Sequence, residues 1–146
     1  MYEKVKDNSH NAFYNVYAQE IKKAEKTMGI FLPESLKQFY LEVGYGFLES
    51  KEENINRIMD LESVCEFRFQ EGQFEGSEEA EDLREETSDK VVFFECNEVM
   101  YLSMGFSKHN MGVIYYGEQA VAKDLEEFLE KYHEDEGYFL DALKRQ

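Results

Sequence analysis

The sequence predicts an α+β fold in a single domain, and three observations carry that reading. Amphipathic helical stripes stand towards both ends, short β-rich runs follow one another between residues 91 and 116, and 146 residues suit one packed core. A chain of this size buries roughly two thirds of its unfolded surface and leaves little for a second core. Apolar residues make up 42 % and aromatics 15 % of the chain, which is enough side chain for a packed interior and excludes global disorder. The aromatics are Phe and Tyr only, and a tyrosine buries its ring while leaving the hydroxyl at a wet surface or interface.

The first predicted element is a helix from Asn11 to Met28 with Ser9 or Asn11 as its N-cap. Phe13, Val16, Tyr17, Ile21, Ala24 and Met28 fall on one face, and Lys22, Lys23, Glu25 and Lys26 on the other. Gly29 ends it, and Ile30-Phe31-Leu32 runs extended because the residue before Pro33 is pushed out of helical space. Pro33 then opens a second helix whose stripe is Leu36, Phe39, Tyr40 and Val43, stopped by Gly44. Gly44-Tyr45-Gly46 reads as a tight turn into Phe47-Leu48. Ile55 to Met59 reads as a short strand with Ile55, Arg57 and Met59 on one side and Asn56 and Ile58 on the other.

Asp60 is placed to cap a third helix through Leu61, Val64, Cys65 and Phe67 to Phe69. From Glu71 to Asp89 the chain holds nine acids and a lone Arg84, and it reads either as a solvated acidic helix centred on Glu78 to Glu86 or as a mobile loop. Val91 to Cys96, Val99 to Met104 and Met111 to Tyr116 make an antiparallel meander, with Ala120 to Ala122 as an added edge strand. Asp124 caps a further helix with Leu125, Phe128, Leu129 and Tyr132 inward, and Tyr138 to Leu143 reads as a short helix that docks at the end.

Charge narrows the function classes. Asp and Glu number 32 against 16 Lys and Arg, a net charge of −16. Such a surface repels phosphate backbones and anionic leaflets, so direct nucleic-acid and membrane binding are disfavoured and a basic protein partner is favoured. Solubility alone accounts for an acidic surface equally well. Cys65 and Cys96 lack metal-like spacing and read as buried small hydrophobes in a reducing compartment; the acids around Cys65 discourage a reactive thiolate. The charged amino terminus has no apolar run behind it, and no segment approaches a bilayer span, so a cytoplasmic location is expected.

Motifs for chemistry fail one by one. Gly72 to Gly76 is not followed by Gly-Lys-Ser or Gly-Lys-Thr, and its acidic flanks repel phosphate. Gly44-Tyr45-Gly46 lacks the third glycine of a dinucleotide fingerprint. Ser103 lies in Leu-Ser-Met-Gly, outside any nucleophile elbow, and His109 has no orienting pattern around it. Asp60 to Glu71 has the length of a calcium loop, but Cys65 stands where the sharp turn needs glycine. His133-Glu134-Asp135-Glu136 reads as a solvated helix end in preference to a metal site. No catalytic residue, metal or cofactor is therefore expected, and the chain reads as a binding protein.

The order of short segments adds a family. Ile21-Lys-Lys-Ala-Glu25, then Gly29-Ile-Phe-Leu-Pro33-Glu-Ser-Leu-Lys-Gln-Phe-Tyr40, then Gly44-Tyr-Gly46-Phe-Leu48 resembles the opening of the SUKH superfamily, the Smi/Knr-like domain. Ile55 to Leu61, Val91 to Cys96, Val99 to Leu102, Gly112 to Gly117 and Leu125 to Leu129 resemble its later strands and closing helix, so the likeness spans Ile21 to Leu129. The resemblance implies an α+β domain with a mixed or mostly antiparallel sheet flanked by N-terminal and C-terminal helices, and no enzymatic activity. It further implies a bacterial immunity protein that binds and neutralises a cognate toxin, many such toxins being nucleases; a regulatory or scaffold domain that binds a host protein is the alternative. A nuclease presents Lys and Arg to phosphates, so the contact is expected at Glu78, Glu79, Glu81, Asp82, Glu85 and Glu86, with nearby Tyr or Phe as anchors. The competing reading of the same acids is a solvated loop.

Overall fold

The computed structural model describes residues 1–84, 87–97 and 99–140. Its first elements differ from the single long helix expected after Asn11. A short helix, α1 (Glu3–Asp7), leads to a three-residue strand, β1 (Ala12–Tyr14), and the helix proper, α2, spans Ala18–Met28. Asn11 is tied up well before α2 begins: its Oδ1 accepts from the Glu49 N–H at 2.7 Å and its Nδ2 donates to the Val5 carbonyl at 3.0 Å. The cap is at Tyr17, whose N–H donates to Glu20 Oε1 at 3.3 Å. Phe13 and Val16 do turn inward, but from a strand and a loop.

Gly29 ends α2 as expected, in the left-handed region at φ 71°, with its N–H donating to the Glu25 carbonyl. The Glu25 carboxylate then accepts from the Leu32 N–H at 2.8 Å and pairs with Lys37 at 3.2 Å, joining α2 to α3 (Glu34–Glu42). Leu36, Phe39 and Tyr40 of α3 are fully buried, and the Tyr40 hydroxyl donates to the Met59 carbonyl at 2.6 Å.

The strands are β2 (Tyr45–Leu48), β3 (Asn56–Ile58), β4 (Lys90–Cys96), β5 (Met100–Gly105), β6 (Ile114–Tyr116) and β7 (Gln119–Ala122). With β1 they form one seven-stranded sheet whose spatial order is the chain order, every pairing antiparallel. The fold is thus α+β, and of the two sheet types expected the antiparallel one holds throughout. Gly44 makes the turn after α3, but Tyr45 and Gly46 already belong to β2, so the expected tight turn is shorter than its two glycines suggest. The run from Met111 loses its first residues to a turn: the Gly112 N–H bonds back to Gly105, and Gly112 adopts φ 82°. Between β3 and β4 lie α4 (Leu61–Phe69), capped by Asp60 accepting from the Ser63 N–H at 3.2 Å, a 3-10 turn over Gly72–Phe74, and α5 (Glu78–Asp82). The chain continues through α6 (Leu125–Glu134), capped by Asp124 accepting from the Glu127 N–H at 2.8 Å, to a 3-10 turn over Tyr138–Leu140. The expected terminal helix reaches beyond Leu140 into residues outside those described.

Register assigns the two faces of the sheet. Phe13, Gly46, Ile58, Phe94 and Leu102 stand opposite one another across five strands, with Leu48, Asn56, Cys96 and Met100 in the next row on the same side. This is the core face: Phe13 meets Phe39 of α3 at 5.9 Å between ring centroids, and Phe94 meets Phe128 at 5.2 Å and Phe139 at 6.4 Å. The alternate row runs Ala12, Phe47, Arg57, Glu95 and Tyr101 on the other face, with Tyr14 opposite Tyr45. There α4 and the turn after it cover only the middle of the sheet, Phe67 and Phe74 packing on Tyr101 at 4.7 and 6.1 Å.

One carboxylate locks the loop between β2 and β3 to the end of α6. Glu136 accepts from Ser50 Oγ, the Lys51 N–H at 2.6 Å, Asn54 Nδ2 at 3.2 Å and Asn56 Nδ2 at 3.0 Å. Burial pushes its pKa up, but the donors from Ser50, Lys51, Asn54 and Asn56 outweigh that and hold it below the ordinary glutamate value. A carboxyl lowered in the folded state stabilises above its unfolded pKa, and the contribution is lost as pH falls through the folded value. Glu136→Ala is expected to cost about 2 kcal/mol near neutral pH. In urea titrations from pH 7 down to pH 3, the difference between wild type and Glu136→Gln should shrink on the acid side.

Candidate functional site

Up to Asp82 the acidic segment meets the core at a few points. Phe74 is buried, and Gly76 turns the chain at φ 75°; Ser77 then caps α5 by accepting from the Ala80 N–H at 3.2 Å. Ala80 is the buried residue of this short helix, which leaves Glu78, Glu79, Glu81 and Asp82 exposed. Glu81 accepts from Gln70 Nε2 at 2.8 Å, and Glu79 from Ser77 Oγ at 3.2 Å. Of the two readings of this stretch, an acidic helix or a loop, the helix holds over Glu78–Asp82. Glu85 and Glu86 lie outside the described residues.

Glu78 and Glu79 form one rim of an open cleft of about 900 Å³ on the less covered sheet face. Its floor is the cross-strand row Phe47, Arg57, Glu95 and Tyr101, and Ile55, Phe74 and Glu75 complete the walls. Arg57 donates through Nε to Glu95 at 2.5 Å and through Nη2 to Gln73 at 3.2 Å, and its Nη1 pairs with Asp60 at 3.5 Å. Glu95 is 4 % exposed, so this pairing is what makes a buried carboxylate tolerable. Burial first, then the Glu95 charge, pushes the Tyr101 hydroxyl far above the ordinary tyrosine range and keeps it protonated. The floor therefore satisfies its own charges, while the rim presents carboxylates to solvent.

The acids were legible in the sequence; the floor was not. Phe47, Arg57, Glu95 and Tyr101 come from four strands and meet only through register. One local signal does point to them: Glu95 interrupts the apolar run Val91-Val-Phe-Phe-Glu-Cys96. Glu81 and Asp82 line a neighbouring shallow hollow with Gln70, Gly76, Ser77 and Glu78.

A second cavity, about 540 Å³, lies among α1, the loop after β2 and α6, with Tyr2, Leu48, Leu129 and His133 in its lining. Among the described residues no group of three or more His, Cys, Asp or Glu side chains is placed to hold a metal ion, and no helix is long and apolar enough to cross a membrane. Cys65 and Cys96 are free thiols. Burial pushes both upward, helped by Asp60 and Glu62 at Cys65 and by Glu136 and Glu52 at Cys96, so neither is activated as a thiolate.

Residues 15–131, which contain the whole cleft and every strand except β1, match the SMI1 / KNR4 family (SUKH-1). The chain belongs to this family. The likeness read between Ile21 and Leu129 lies inside the matched span. The SUKH-1 chain is also 42 % identical, over 142 residues covering 97 % of each protein, to a Bacillus subtilis (strain 168) protein named Immunity protein YxxD. No solved structure matches it.

Proposed function

We propose that this SUKH-1 protein is a non-catalytic immunity protein of a single domain that acts in the cytoplasm and neutralises a cognate toxin bearing a basic nuclease domain. The observation that carries the reading is the acidic rim of α5 standing over an aromatic cleft, in a chain whose relative is named an immunity protein. A nuclease gathers Lys and Arg to hold phosphates, so its site is complementary to Glu78, Glu79, Glu81 and Asp82. Such complementarity raises the rate of encounter and sets the register of docking, while a few apolar anchors supply most of the affinity. The protein blocks the substrate's path and performs no chemistry.

Co-expression tests this reading. The chain is produced in cells together with each of a panel of nuclease toxin domains, and colonies are counted. Full survival with one toxin domain and none with the others is expected. No protection against any of them, together with recovery of a host regulatory protein on the tagged chain, would replace immunity by the scaffold reading.

A further inference from the structure

We propose that the open half of the sheet beside α5 is the anchoring surface for a cationic protein segment, one Arg or Lys of which lies across Phe47 and ends between Glu78 and Glu79. This rests on the toxin-binding reading and says where on the chain the partner is held. Register puts Phe47 beside Arg57 and aligns Tyr14 with Tyr45 on the same face, the two tyrosine rings 5.4 Å apart. On this face Tyr14 is 54 % exposed and Phe47 41 %, and Ile55 at the cleft wall is 54 % exposed. Contiguous exposed apolar side chains rimmed by polar ones mark an interaction site, whereas singly scattered ones do not.

Charge decides the occupant. A second copy would bring another −16 to a rim that is already acidic, and an anionic leaflet is repelled in the same way. A basic segment is attracted, and the long side chains of Arg and Lys match the cleft along their length: an apolar stem for Phe47 and Ile55, a cationic head for the carboxylates. Arg57 does not cancel this field, because Glu95 and Asp60 already hold its guanidinium.

The probe is nona-arginine, titrated at low salt into the full ¹⁵N-labelled chain. The largest amide shifts are expected at residues 45–48, 55–57 and 77–79, and Phe47→Ser with Ile55→Ser, measured well below its melting transition, should weaken peptide binding at least about tenfold. Glu78→Lys with Glu79→Lys, on an exposed helix, gives the same readout without touching the sheet. Shifts centred on α6, or spread evenly over the acidic surface, would overturn the proposal, as would a wild-type dimer in sedimentation that Phe47→Ser dissolves. Co-expression separates the two levels. Equal protection by wild type and Phe47→Ser removes this surface and leaves immunity standing; loss of protection in the variant alone supports it. A wild type that protects against nothing removes the immunity reading, and the peptide map still decides whether this face binds cations.

Discussion

Gly46→Ala is expected to lower stability by roughly 3 to 5 kcal/mol, read by urea denaturation. Gly46 has φ 147°, and a Cβ there would sit 2.1 Å from the Ala12 carbonyl oxygen and 2.9 Å from the Phe13 Cα. The obstacle is backbone of the neighbouring strand, which has no rotamer to move away, so β1 must separate from β2. Phe13 would then leave Phe39, and Tyr14 would leave Tyr45, so the same change loosens the core and half of the proposed anchoring surface. Gly44→Ala should behave alike, its Cβ falling 2.0 Å from the Tyr14 carbonyl oxygen at φ 112°. Gly29 provides the contrast: its φ is 71° but nothing lies within 4 Å of a Cβ, so Gly29→Ala should cost only about 1 kcal/mol. Equal costs at Gly29 and Gly46 would mean that close approach of β1 is not what selects glycine.

Reversing Glu78, Glu79, Glu81 and Asp82 to Lys is expected to weaken toxin binding by about a hundredfold, mainly through slower association, and to flatten its dependence on salt. The four changes halve a net charge of −16, so a control with the same charge change is needed. Glu118, Glu126, Glu130 and Glu134 are exposed on other parts of the surface, and their reversal should leave affinity within a few-fold of wild type. Stopped-flow association across a salt series distinguishes the two sets. If both weaken binding equally, the overall field steers the partner and α5 holds no special place.

Much of the fold was legible because its signals are local. The stripe Leu36, Phe39, Tyr40 with Pro33 ahead of it, Asp124 ahead of Leu125 to Tyr132, and the β runs from Val91 and Val99 each place an element within a residue or two, whereas the run from Met111 starts as a strand only at Ile114. The first strand was not legible for a physical reason. Phe13, Val16 and Tyr17 fit a helical stripe, and what makes residues 12–14 a strand is pairing with Tyr45 to Phe47, far along the chain. The same non-local pairing explains Gly46, which reads locally as part of a turn but is small because a neighbouring backbone lies against it. At the candidate site, composition exposes the acids, since carboxylates in a run of polar residues have few roles but solvation or recognition. The anchors stay hidden because Phe47, Arg57, Glu95 and Tyr101 are single residues of four strands, and only the sheet register sets them in a row.

The most direct measurement is cleavage by the purified toxin domain as this protein is titrated into it. Cleavage is expected to stop at one equivalent in low salt and to return as the salt is raised, and the α5 reversal variant should require far more protein to reach the same inhibition. Undiminished cleavage with the wild-type chain in large excess would mean that this protein does not neutralise the toxin by binding it.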